Sequence, residues 1–159
     1  MIKERGKILL VLTSAGTPDE AISYAVDRAR KDGVTLVALY ILTTGPADSV
    51  FESFTDTGFI GDKPTTELSE AIMKDFRQRG YEELGRVQIK AMEEGVDFEP
   101  MMEQGDVLGN VLKVVDAMDI GAAILVRKKK KPLFKYFSIS VVDEIKEKAK
   151  CEVVVFGRD

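Results

Sequence analysis

Hydrophobic positions along this chain fall into four continuous apolar runs and one looser alternation. Continuous runs are typical of strands buried on both faces of a parallel sheet. They predict strands at residues 7–12, 35–42, 122–126 and 151–156. The alternating segment at residues 96–103 contains a proline, which suits an edge strand because proline donates no backbone hydrogen bond. The pattern therefore predicts five strands.

The segments between these runs carry apolar residues at helical spacing, and their boundaries are marked by polar residues. Thr17 with Glu20 matches a capping box, and Gly33 is placed to end the same helix. Ser140 with Asp143 matches a second capping box, which predicts a helix over residues 140–150. Both patterns predict that a side-chain hydroxyl caps the helix.

The second helix is predicted to be long, over residues 66–94. Gly80 and Gly85 interrupt it, and each weakens a helix by about 1 kcal/mol relative to alanine, so a bend is expected there. Asp106 is placed to cap the third helix.

Before the long helix lies a stretch rich in glycine, threonine, aspartate and serine, from Thr43 to Pro64. It is longer than most connections in compact domains, which favours a functional, mobile or partly helical segment. Three aromatic residues within it, Phe51, Phe54 and Phe59, either pin the segment onto the body or form a flap that covers a ligand or partner site.

Five strands alternating with four helices predict an α/β fold: a three-layer, doubly wound, five-stranded parallel sheet. No linker or composition break divides the chain, so residues 1–159 are predicted to form a single domain.

Composition excludes several classes of function. The chain has no histidine, which removes the commonest general base and metal ligand, so we expect no catalytic residue and no metal site. Its single cysteine, Cys151, excludes an internal disulfide framework and fits a reducing compartment. With no apolar signal region at the N-terminus, we expect the cytoplasm.

Charge is spread unevenly. Six cations and no anion fall within residues 127–136, so the other residues sum to −10, since the whole chain carries −4. An acidic body with one basic segment is not the pattern of a nucleic-acid binder, which shows basic faces on several elements. We therefore expect one local anionic contact and no specific nucleic acid.

Three stretches give this chain a family resemblance: GDV at residues 105–107, SVVDEI at 140–145 and KCEVVV at 150–155. With the first strand and helix and the long second helix, they resemble the universal stress protein family over nearly the whole length. The resemblance implies strand order 3-2-1-4-5, in a fold like that of flavodoxin and the adenine nucleotide α-hydrolases. It also implies a ligand crevice between the ends of strands one and four.

ATP-binding members of that family carry an aspartate after strand one and spaced glycines after strand four, ending in Gly-Ser or Gly-Thr. Those glycines let backbone N–H groups approach phosphate closely. Here Thr13 stands about where the aspartate is, Arg127 and Lys130 replace the first two glycines, and Ile139 precedes Ser140. The resemblance thus implies a member that lacks the usual glycine-rich ATP-binding motif.

Three interpretations of the basic segment remain open. It is a solvated loop, an anion or nucleotide site, or a surface that docks on phospholipid or an acidic partner. For the anion or nucleotide site, the candidate residues are Thr13, Ser14, Arg127, Lys128, Lys130 and Ser140. For docking, they are Lys129, Lys131, Phe134, Lys135 and Tyr136.

Together, these features predict a non-catalytic binding or regulatory module of the universal stress protein type that needs no cofactor. The alternative is a stress protein that binds ATP or AMP, with slow ATPase or switch activity and Mg²⁺ as the metal. The last strand, from Cys151 to Gly157, is an edge in the implied order, and edges pair readily with a second copy. We therefore expect a homodimer through this strand.

Overall fold

The computed structural model describes residues 6–13, 16–42, 62–127 and 135–157. For residues 62–69 and 135–140 it describes the backbone alone.

All five predicted strands form and lie in one parallel sheet. They are β1 (Lys7–Leu12), β2 (Leu36–Leu42), β3 (Phe98–Gln104), β4 (Ile120–Val126) and β5 (Glu152–Phe156). Their order is β3-β2-β1-β4-β5, and every neighbouring pair is parallel. The predicted order and fold class are confirmed, including the place of the proline-containing strand at an edge.

Four described helices cover the two faces of this sheet. They are α1 (Asp19–Asp32), α2 (Asp62–Glu93), α3 (Val107–Ala117) and α4 (Lys135–Lys148). Helices α1 and α2 pack on one face and α3 and α4 on the other, so the sheet has a separate hydrophobic cluster on each side. This is the three-layer, doubly wound architecture.

The central strands explain why the apolar runs are continuous. In β1, Leu10 faces the α1/α2 side while its neighbours Leu9 and Val11 face the α3/α4 side. These side chains are at most 5% exposed. Successive residues of a strand point to opposite faces, so a strand covered on both faces needs an apolar residue at every position.

Both predicted capping boxes are wrong. Helix α1 has Pro18 at its N-cap with no side-chain cap, and the backbone N–H of Thr17 donates to the Glu83 carboxylate of α2 at 3.0 Å, in the place that the box gives to Glu20. Helix α4 begins at Lys135, so Ser140 lies inside it. No proline or glycine separates Lys135 from Ser140, so no residue there ends a helix that starts earlier.

Other helix boundaries agree with the sequence more closely. Gly33 ends α1 in the left-handed conformation, with φ of 67°. The Asp106 carboxylate caps α3 by accepting from the Gly109 N–H at 2.7 Å. Helix α2 starts at Asp62, so the end of the Thr43–Pro64 stretch is helical, in line with the partly helical alternative, while residues 43–61 lie outside the described part of the chain. Among the described helices, none is long and apolar enough to cross a membrane.

The edge strand β5 is tied to α1 by an ion pair. The Arg28 guanidinium donates to both carboxylate oxygens of Glu152, at 2.6 and 3.0 Å, and also donates to the Tyr24 hydroxyl at 3.1 Å. This bidentate bond holds the pKa of the Glu152 carboxyl below its usual value. The charged form of Glu152 is therefore favoured in the folded protein.

Replacing Glu152 with glutamine is expected to destabilise the protein at pH 7 by up to about 1 kcal/mol, since the pair is partly exposed. A lowered folded pKa contributes stability above the unfolded value, and that contribution is lost as the pH falls through the folded pKa. The difference between Glu152→Gln and the natural chain should therefore shrink below about pH 4. Urea unfolding at pH 7 and pH 3 measures it.

Glu99→Gln is the matched control, because Glu99 lies 3.9 Å from the Lys7 ammonium and makes no bidentate bond. It should change the free energy of unfolding little at either pH. An equal loss for Glu152→Gln at both pH values would contradict the ion-pair account.

Candidate functional site

The crevice of this fold lies where β1 and β4 end. Strand β1 pairs with β2 on one side and with β4 on the other. The connection from β1 to β2 runs through α1 on one face of the sheet, and the connection into β4 runs through α3 on the opposite face. Ligands of doubly wound sheets bind at such a switch point, beyond the carboxyl ends of the strands.

A tight turn follows β1. The N–H of Gly16 donates to the Thr13 carbonyl at 3.1 Å, and Gly16 has φ of 92°, a conformation that side chains rarely adopt. The turn brings Thr13 and Thr17 to the crevice, and Thr17 is only 7% exposed. These two residues provide the hydroxyl groups of the described walls.

The described walls enclose a cavity of about 50 Å³. Its lining contains no charged residue among those described: Val11, Thr13, Gly16, Thr17, Val107, Leu125, Val126, Val141, Val142 and Ile145. Drug-sized ligands occupy pockets of about 300–1,000 Å³. The described part of the crevice is therefore apolar and much smaller than such a ligand requires.

Arg127 directly follows the carboxyl end of β4 but does not line the cavity. Its N–H donates to the Phe156 carbonyl at 2.6 Å, and its guanidinium lies 3.8 Å from the Asp143 carboxylate of α4. Gly157 makes this junction feasible, because a Cβ there would lie 1.8 Å from the Arg127 carbonyl oxygen. The guanidinium is thus directed toward α4.

The remaining predicted site residues can be placed only in part. Those outside the described residues are Ser14, Lys128, Lys129, Lys130, Lys131 and Phe134. Lys135, Tyr136 and Ser140 are described as helical backbone, with the first two in the opening turn of α4. The structure therefore brings Thr13 and Arg127 to the neighbouring carboxyl ends of β1 and β4. The ligand-binding and docking roles of all the predicted site residues stay predictions.

The backbone of α4 limits which N–H groups can face a ligand. Only the first four N–H groups of a helix are free, since each later one bonds to the carbonyl four residues back. Ile139 and Ser140 are the fifth and sixth residues of α4. Their N–H groups are therefore within the helical hydrogen-bond pattern and unavailable to a phosphate.

Sequence reasoning missed two residues that position the crevice turn. The Glu83 carboxylate accepts the Thr17 N–H at 3.0 Å, and the Arg86 guanidinium donates to the Thr17 carbonyl at 3.3 Å. Arg86 also donates to Glu83 at 2.6 Å and to Asp19 at 2.5 Å. These bonds raise the pKa of the Arg86 guanidinium, chiefly through Glu83.

No sequence signal identified the hydrogen bonds that Glu83 and Arg86 make with Thr17. Glu83 and Arg86 are three residues apart on α2, an ordinary spacing for a helical surface pair. Their contact with Thr17 spans more than sixty positions of the chain and follows from the packing of α2 beside α1. Within the described residues, no group of three or more acidic or cysteine side chains could hold a metal ion.

Comparison with known proteins agrees with this architecture. The sequence model of the universal stress protein family matches residues 4–157. A search of curated protein sequences gives no match. The universal stress protein UspA from Lactobacillus plantarum has a solved structure with a TM-score of 0.73 at 13% identity, covering 98% of this chain and 99% of that one.

Two other similar structures contain nucleotides. A universal stress protein family protein from Arabidopsis thaliana with AMP bound has a TM-score of 0.59 at 13% identity, over 97% of this chain and 92% of that one. The universal stress protein from Archaeoglobus fulgidus in complex with dAMP has a TM-score of 0.60 at 16% identity, over 96% and 98%. At such identities, these likenesses establish the shared fold.

Proposed function

The chain belongs to the universal stress protein family, and on that premise we propose that it is a non-catalytic binding and regulatory module that does not hold ATP in the family's usual way. The observation that carries this proposal is the start of α4 at Lys135. It puts Ile139 and Ser140 inside a helix, where a phosphate-binding turn would need their N–H groups free.

The crevice supports the same proposal. Hydrogen bonds to charged groups contribute about 1.5–3 kcal/mol each, so losing two backbone donors removes a large part of a phosphate site. The described cavity has a volume of about 50 Å³, and its lining is apolar apart from Thr13 and Thr17. Thr13 also offers no carboxylate at the place where ATP-binding relatives are expected to have an aspartate.

A second candidate function is nucleotide binding with slow hydrolysis or switching. The relatives solved with AMP and dAMP favour it, because they share the fold over nearly the whole chain. In this chain, Lys128 and Lys130 would neutralise the phosphates as point charges, with Mg²⁺ as the metal. Ser140 would then take part only if the first turns of α4 unwound.

Thermal unfolding with ATP–Mg²⁺, AMP or inorganic phosphate separates the two functions. A ligand present at 100 times its dissociation constant stabilises the folded state by about 2.7 kcal/mol. We expect no shift with either nucleotide at millimolar concentration. A clear shift with ATP and none with phosphate would overturn the first proposal and support the second.

A variant with serine at positions 128 to 131 tests whether the lysines of the basic segment, Lys128, Lys129, Lys130 and Lys131, bind anions. It should unfold at the same temperature as the natural chain, because a solvated segment contributes little to stability. Any anion effect should disappear in this variant. Loss of folding would show that these lysines are structural.

Two further features of the proposed module concern its partners. We propose a homodimer through β5, whose last four residues are only half-buried at the sheet edge. Light scattering should then give twice the 17.6 kDa chain mass, whereas a monomer at all concentrations would contradict the dimer.

Sedimentation with anionic vesicles at low salt tests the docking role of Lys129, Lys131, Phe134, Lys135 and Tyr136. Absence of binding would contradict that role.

A further inference from the structure

An open cleft of about 510 Å³ lies on the opposite face of the sheet from the crevice. Gly16 and Thr17, just before α1, form one wall and α2 forms the other, with the Tyr40 side chain of β2 at its base. Thr17 contributes to this cleft as well as to the crevice. The volume lies within the range of about 300–1,000 Å³ that is usual for small-molecule pockets.

Two buried hydroxyl groups at this cleft have no hydrogen-bond partner within the described part of the chain. They are the Oη of Tyr40, which is 0% exposed, and the Oγ1 of Thr17, which is 7% exposed. A buried polar group without a partner is unfavourable, because it has lost its hydrogen bonds to water and gained none in the protein. Each such group calls for an explanation, such as a bound water, an ion or a ligand.

The Tyr40 hydroxyl is held in its neutral form. Burial raises the pKa of this phenol, and the nearby Glu83 carboxylate raises it further. At neutral pH the Tyr40 Oη therefore carries its proton and can both donate and accept a hydrogen bond, as can the Thr17 Oγ1.

The charges around the cleft disfavour an anion. Arg79 pairs with Asp75 at 3.0 Å, and Arg86 pairs with both Asp19 and Glu83. Each lining arginine thus already has a carboxylate partner. Another carboxylate, on Glu82, also lines the cleft. A phosphate or carboxylate ligand would therefore approach more negative than positive charge.

We propose that this cleft binds a small uncharged polyol, whose hydroxyl groups pair with the Tyr40 Oη and the Thr17 Oγ1. A polyol is itself both donor and acceptor, so it satisfies two hydroxyls without bringing a negative charge to a rim that already carries more negative than positive charge. The Glu83 and Arg86 side chains present further acceptors and donors of the kind that hydroxyl-bearing ligands use. The cleft lies on the other face of the sheet and shares Gly16 and Thr17 with the described crevice lining, so its polyol site does not require that the crevice binds a nucleotide.

The test is a protein-observed NMR titration of the full chain with ribose, glucose and myo-inositol, and with inorganic phosphate in a separate arm. At least one polyol should shift the resonances of Thr17, Tyr40 and Arg86, and phosphate should not. Tyr40→Phe and Thr17→Val each remove one hydroxyl with little change of shape, and each should weaken binding at least tenfold. Tyr24→Phe is the control and should leave binding unchanged, because Tyr24 bonds to Arg28 away from the cleft.

Stability of the ligand-free variants gives a second readout. Removing a hydroxyl without a partner should leave the urea midpoint of Tyr40→Phe unchanged or higher. A clear loss of stability would mean that the Tyr40 Oη already has a partner, and it would overturn the proposal. So would a shift with phosphate alone, no shift with any of the three polyols, or unchanged polyol binding in Tyr40→Phe.

Discussion

Replacing Gly80 with alanine is expected to lower the free energy of unfolding by roughly 1–3 kcal/mol, although alanine is the better helix former. Helix α2 crosses the sheet directly over Tyr40 at this position. A Cβ on Gly80 would lie 2.7 Å from Cδ1 and 2.9 Å from Cε1 of the Tyr40 ring. It would also lie 2.7 Å from the Cε of Met102.

The two neighbours differ in how easily they can move. Met102 presents the end of a flexible side chain, which can shift at little cost. The Tyr40 ring is fully buried in the cluster between β2 and the helices α1 and α2. Protein interiors are closely packed, so the helix or the ring must move, and this cost should exceed the roughly 1 kcal/mol gained in helix propensity.

Gly85 provides the matched control in the same helix. A Cβ there would meet no atom within 4 Å, so Gly85→Ala should stabilise the protein by about 0.5–1 kcal/mol. Urea unfolding followed by circular dichroism measures both variants. Changes of the same sign would contradict the claim that Gly80 is kept for the close approach of Tyr40.

The difference between these two glycines shows how much of the packing can be predicted from the sequence. Their helical context was predicted, with the same cost for each. Which of them faces the sheet depends on how α2 packs, and Tyr40 lies forty residues away along the chain. Strand positions were easier to predict, because burial on both faces leaves a continuous apolar run within the segment itself.

Helix starts show the same division between local and tertiary effects. The Asp106 cap was predicted correctly, since its partner Gly109 is three residues away. The Thr17 box failed because the N-cap is Pro18 and Glu83 of another helix accepts the Thr17 N–H in place of Glu20, and the Ser140 cap failed because α4 starts one turn and a half earlier. A capping pattern identifies a hydroxyl near a helix start but does not fix the residue at which the helix begins.

The second large effect concerns ATP. If the missing motif explains a missing nucleotide site, restoring the motif should create one. We expect the variant Thr13→Asp, Arg127→Gly, Lys130→Gly and Ile139→Gly to bind ATP–Mg²⁺ roughly 10²- to 10⁴-fold more tightly than the natural chain. Two regained charge-assisted hydrogen bonds of about 1.5–3 kcal/mol each give this range.

The physical reason lies in α4 and the segment before it. Glycine at position 139 costs about 1 kcal/mol inside a helix, which favours unwinding the first turns and frees the N–H of Ser140. Glycine at positions 127 and 130 removes side chains that would crowd a phosphate. Arg127→Gly gives up the 3.8 Å ion pair with Asp143, and a partly exposed pair of this kind contributes about 1 kcal/mol or less.

Loss of positive charge must be separated from gain of the motif. Lys129→Gly with Lys131→Gly removes two cations, as does the change at Arg127 and Lys130, but restores none of the motif. This control should bind ATP no better than the natural chain. Circular dichroism of each variant establishes that the proteins compared are folded.

Isothermal titration of ATP–Mg²⁺ into the natural chain and the restored variant tests the central claim most directly. The predicted result is no binding heat for the natural chain at millimolar ATP and a saturable isotherm for the restored variant. The claim is contradicted if the natural chain binds ATP–Mg²⁺ as tightly as the variant, since the helical start of α4 would then be no obstacle to the nucleotide.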